Sequence, residues 1–145
     1  MSLKFQARVG DRIYIVGGID DSNNPQGETW YAQKGGTRWN ILDNTLRKPR
    51  HKLACVEHKG KLWAIGGAEP KLRPENIDPV KDVEILDPVT EKWSLATELP
   101  IPLMEHHVIS YNGDLWCLGG FTRAPLYTDT RIHYKNDKGP LILIN

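Results

Sequence analysis

Only two cysteines, Cys55 and Cys117, occur in the 145 residues, and no spacing motif links them. That excludes a disulfide framework and suggests reduced thiols in a cytoplasmic setting. An excess of one charge is missing too. Nineteen basic against 18 acidic residues leave a formal net charge of +1, so there is no electrostatic case for nucleic acid. No apolar run approaches the length that spans a bilayer. Met1-Ser2-Leu3-Lys4-Phe5 lacks the apolar core of a secretory signal. No stretch keeps a helical period of apolar residues over three turns. At 26% charged and 39% apolar residues, the composition is that of a folded β protein with thin sheets rather than a disordered chain.

What is present is repetition. Glycine doublets stand at Gly17-Gly18, Gly66-Gly67 and Gly119-Gly120, so the period is roughly 50 residues. An aromatic residue (Tyr14, Trp63 or Trp116) precedes each doublet by three places. Each doublet ends a short apolar strand. A turn glycine (Gly10, Gly60 or Gly113) separates that strand from an earlier one, expected near 4–8, 52–57 and 107–111. Gly10 falls one place early, which predicts a longer first hairpin. Two further strands follow each doublet, at 29–33 and 38–42, at 83–87 and 92–96, and at 130–135 and 141–144. Each repeat therefore reads as a four-stranded antiparallel meander, with strands a to d. Trp39 and Trp93 fall in strand d of the first two repeats, and Leu141 takes that place in the third. The glycine doublet is expected to let the backbone pass close to a neighbour or adopt positive φ. The tryptophans and Tyr14 are expected to bury large area between sheets.

These marks resemble the kelch motif. Leu86-Asp87-Pro88 before Trp93, and Pro49-Arg50-His51 before Trp63-Ala64-Ile65-Gly66-Gly67, carry the likeness. Leu141, and the lack of an arginine at the start of strand a in the third repeat, depart from it. The resemblance implies an all-β fold of three β-propeller blades, at about 2–43, 50–97 and 105–145 of one domain, with strand a lining a central channel. Kelch rings have six or seven blades, so three blades leave two apolar faces open. Two copies are therefore expected to form a six-bladed ring, each closing the other as a homodimer. The competing expectation is a fragment, truncated product or engineered half-propeller completed by another chain or binding no ligand.

Chemistry is sparse. His106 and His107 are adjacent on a strand and point to opposite faces, so they do not easily share a metal. His51, His58 and His133 show no zinc spacing. Cys117 reads as a small core residue, and Ser110 has no base near it in sequence. Asp20-Asp21-Ser22-Asn23-Asn24 lacks the glycine and spaced glutamate of a calcium loop. No cofactor is implied. What remains is the face where the b–c loops (19–28, 68–82 and 121–129) gather with the d–a segments (43–51 and 97–106). The resemblance implies peptide recognition there, with acidic segments read by basic groups at the start of strand a. Arg50, His51 and Lys52 match that position in blade two; Glu105, His106 and His107 occupy it in blade three. Arg50 has a second reading, as a structural ion pair or a donor to loop carbonyls. The leading expectation is a non-catalytic protein-interaction module. A sugar-active enzyme such as a mutarotase, using Glu105 and His107, is the alternative.

Overall fold

The computed structural model describes residues 5–22, 24–70, 77–122 and 141–144. Its elements are all β. The first sheet is a meander of β1 (Phe5–Val9), β2 (Arg12–Val16), β3 (Thr29–Gln33) and β4 (Asn40–Ile41) in sequential order. The second repeats it with β5 (Ala54–His58), β6 (Lys61–Ile65), β9 (Val83–Asp87) and β10 (Lys92–Leu95). Between β6 and β9 lies a small ribbon absent from the expected pattern, β7 (Ala68–Pro70) paired with β8 (Ile77–Pro79). The third sheet orders β11 (His107–Tyr111), β12 (Asp114–Leu118) and β13 (Leu141–Ile144).

Three expectations need correction. The first a–b turn is no longer than the others, because Val9 faces Arg12 just as His58 faces Lys61 and Tyr111 faces Asp114. Gly10 simply takes the first turn position at φ +59°, where Lys59 and Asn112 stand in the other two hairpins at similar angles. Leu141–Ile144 does not lie fourth in its sheet. It pairs directly with β12, Leu115 opposite Ile144 and Leu118 opposite Leu141. The strand expected at 130–135, and His133 with it, lie outside the described residues. Finally, strand a of blade two starts at Ala54, not Lys52, because Lys52 sits at φ +55° and breaks the extended run.

The sheets pack face to face in a row. Val9, Tyr14, Val16, Leu53, Leu62, Ala64, Leu86 and Trp93 form one buried cluster, with the first sheet on one side and the second on the other. Trp93 reaches across this joint, its indole N–H donating to Thr29 Oγ1 at 3.0 Å. Ile65, Val83, Leu103, Leu115 and Cys117 belong to the second cluster, between sheets two and three. Trp39, the matching residue of blade one, is 47% exposed.

Glycine is required at the doublets by close approach as well as by conformation. Gly17 has φ +66°, and a Cβ there would lie 2.6 Å from the carbonyl of Arg50. Gly66 repeats this, at φ +64° and 2.6 Å from the carbonyl of Leu103. The second glycine of each pair ties the blades together, Gly18 N–H donating to Arg50 O (3.1 Å) and Gly67 N–H to Leu103 O (2.8 Å). Backbone hydrogen bonds thus grip the incoming segment of each next blade, and its buried side chains, Leu53 and Leu103 among them, pack into the two clusters.

Candidate binding face

The d–a linkers deliver strands β1, β5 and β11 side by side, and their leading ends frame an open cleft of about 530 Å³. Its walls include Phe5, Leu53, Cys55, His106, His107 and Val108. Superposing the two linkers by their hydrogen bonds pairs Arg50 with Leu103, His51 with Met104, Lys52 with Glu105, and Leu53 with His106. The six residues expected at this face occupy very different settings.

Arg50 is fully buried. Its Nε donates to Gly66 O at 2.6 Å, Nη1 to Lys48 O at 3.0 Å, and Nη2 to Ala64 O at 3.1 Å. Nη1 also meets the buried carboxylate of Glu84. Glu84 in turn accepts the backbone N–H of Arg47 at 2.7 Å. Of the two readings of Arg50, the geometry is that of the structural ion pair: four of its five N–H donors are taken inside the protein and the side chain has no exposed surface. His51 is also buried; it exchanges two backbone hydrogen bonds with Ala68. Burial, followed by the neighbouring Lys52 charge, lowers its pKa.

Lys52 and Glu105 hold equivalent positions at φ +55° and +56°. That left-handed turn aims their side chains at each other, Nζ to Oε1 at 2.8 Å, and Glu105 N–H donates to Lys52 O at 3.0 Å. Glu105 is the more exposed member, at 55% against 20% for the Lys52 side chain. His106 is buried between the second and third glycine doublets, its ring in the slot that Leu53 fills one blade earlier. Neither of its nitrogens makes a hydrogen bond of normal geometry. Burial pulls its pKa down to about 4, so it is neutral at pH 7. His107 is exposed on the cleft wall. The structure therefore puts His106 and His107 on the cleft wall, pairs Lys52 with Glu105 one residue before the lining residues Leu53 and His106, and withdraws Arg50 and His51 into the scaffold. Phe5 and Cys55 join the wall without having been singled out. Their signal was position alone, since each lies on a strand a.

Other candidates resolve into structure. Asp20 accepts the N–H groups of Ser22 and Asn24 at 2.9 Å each, which lowers its pKa and leaves the carboxylate serving its own loop. Ser110 does have a base near it, His58, whose Nδ1 lies 2.7 Å from Ser110 Oγ across the second joint. Burial raises the thiol pKa of Cys55 and of Cys117 to about 12. Among the described residues no three histidine, cysteine or acidic side chains converge as metal ligands. Among the described residues no helix is long and apolar enough to cross a membrane.

The family profile of the Kelch motif matches residues 49–100. Kelch-like protein 41 of Mus musculus is 30% identical over 124 residues, covering 77% of this chain and 18% of its own length. The chain belongs to the kelch-repeat family. Its kelch repeats also resemble Beta-scruin of Limulus polyphemus, 30% identical over 112 residues, which cover 76% of this chain and 12% of that protein. Among solved structures, that of YjhT superposes with a TM-score of 0.70 at 19% identity, over 94% of this chain and 40% of the other. The kelch chain spans less than a fifth of the length of the two relatives by sequence, at 18% and 12%.

Proposed function

We propose that this kelch chain is a non-catalytic protein-interaction module that captures a peptide or loop at the cleft mouth. Its three blades, at about 2–43, 50–97 and 105–145, are completed to a six-bladed ring by a second copy. The observation that carries the binding reading is the 530 Å³ cleft at the leading ends of β1, β5 and β11, apolar along much of its wall and bordered by His107. Kelch repeats generally mediate protein–protein contacts. An extended segment laid there would find apolar wall for its side chains, and Lys52 beside the cleft for a carboxylate. Lys52 is already partnered by Glu105, so an acidic ligand competes with that carboxylate. The sugar-active alternative needs Glu105 as a free acid or base; its pairing with Lys52 weighs against that use. We place the protein in the cytoplasm, consistent with two free cysteines in different sheets.

Peptide titration tests the binding reading. A labelled peptide of alternating glutamate and serine is expected to bind, and to bind more weakly as salt rises. Lys52→Ala and His107→Ala weaken it severalfold, whereas Glu105→Gln strengthens it by freeing Lys52. Equal affinity for a lysine–serine peptide, or indifference to all three substitutions, overturns the proposal. Arg50 is unsuitable for this test because its loss disturbs the fold first.

A further inference from the structure

The two open faces of the row are not generic apolar patches. The outer face of the first sheet carries Ile13, Ile15, Ala32 and Trp39. By register these are the counterparts of Leu62, Ala64, Leu86 and Trp93, the four residues blade two buries against blade one. Ile13, Trp39 and Ile41 are about half exposed, at 47%, 47% and 48%. The outer face of the third sheet carries Ile109, Tyr111, Trp116 and Leu118, counterparts of Ala7, Val9, Tyr14 and Val16, with which blade one receives blade two. The match extends to detail, since Trp116 donates to Tyr111 O as Trp63 donates to His58 O. One end of the chain is an inserting face and the other a receiving face.

We propose that these two faces bind each other between two copies, twice per ring, with Trp39 of one copy on the Ile109–Trp116 surface of the other. This rests on the reading that a second copy completes the ring, and specifies the contact. Size and charge both support it. In the joint already formed, small Val9 shares a core with large Leu86. In the proposed joint the sizes invert: Tyr111, 67% exposed, stands where Val9 does, and Ala32 stands where Leu86 does. Beside Ile13 and Ala32 lies a hollow of about 320 Å³, bordered by Arg8, Asp11, Arg12, Gln33 and Lys34, which a tyrosine ring suits.

Charge inverts as well. Arg12, the first residue of β2, reaches Glu91 in the c–d turn of blade two at 3.6 Å. The equivalent first residue of β12 is Asp114, and the c–d turn of blade one carries Lys34 and Arg38 with no acid. An acid therefore meets bases where the existing joint has a base meeting an acid. Gly119 keeps the φ of +66° shared with Gly17 and Gly66, yet among the described residues a Cβ there would meet nothing within 4 Å.

Sedimentation of the 145-residue chain at several concentrations is the test. The wild type is expected to be a dimer. Trp39→Ala raises its dissociation constant about 30-fold or more. Asp114→Arg alone and Lys34→Asp/Arg38→Asp alone weaken it, and all three together restore it. Each altered side chain is exposed or half-buried, so circular dichroism confirms that the variants fold. A wild-type monomer at every concentration gives both faces to another occupant and overturns the ring reading together with this contact. A wild-type dimer indifferent to Trp39→Ala and to the charge swap overturns the contact alone.

Discussion

At the residue scale, Arg50 shows how a cation in a promising position becomes unavailable. Its guanidinium satisfies three carbonyls and one carboxylate inside the joint between blades. Removing one member of such a pair strands the other as a bare buried charge. Arg50→Met is therefore expected to cost about 3–5 kcal/mol in urea unfolding. Arg50→Met/Glu84→Leu should cost clearly less than the single change, because no unpaired charge remains. It will not recover fully, since Glu84 also accepts the Arg47 amide. A double variant as unstable as the single one contradicts this account.

At the scale of elements, the joint between blades is a glycine passing a carbonyl. Gly66→Ala combines left-handed backbone strain with a 2.6 Å approach to Leu103 O and a 2.8 Å approach to His106. Gly119→Ala carries the same strain without the approach. Thermal unfolding should show Gly66→Ala losing at least about 1–3 kcal/mol, and Gly119→Ala less. The periodic spacing of these doublets made the repeats legible in sequence, and the aromatic three places earlier fixed which strand they end. Strands β3, β9 and β11 fall at the expected residues because their apolar runs are bounded by turn residues. The turn at Lys52 and Glu105 was not legible, since neither is a residue that marks positive φ. The ribbon of β7 and β8 hides in a loop rich in proline. Glu84, the partner of Arg50, lies 34 residues away, a distance no local pattern spans. The cleft is walled by the leading ends of the a strands, with no residue of the b–c loops expected to share that face, and which side chains remain free beside it depends on partners brought together only by folding.

At the scale of the whole molecule, the row of sheets is joined by two buried clusters, and one of them holds a weak point. His106 fills a leucine's slot in the joint between blades two and three, beside Gly66 and Gly120. Its folded pKa of about 4 lies below the ordinary histidine value of 6.5. As pH falls below 6.5 the unfolded chain takes up a proton that the folded chain refuses. Stability is thus fully present above 6.5 and declines until pH passes about 4, a loss of roughly 3 kcal/mol. Denaturation from pH 7 to 4 should show this decline, and His106→Leu should flatten it. An unchanged pH profile in that variant assigns the acid sensitivity elsewhere.

Because the amides of Gly18 and Gly67 grip each incoming linker by a carbonyl, of Arg50 in one case and Leu103 in the other, that contact makes no demand on which side chain stands there. Equivalent sites already differ widely: Lys52 against Glu105, Leu53 against His106, Ala54 against His107. Architecture and recognition are in this way written in separate alphabets. New specificities can be inscribed around the mouth while the framework beneath keeps its shape.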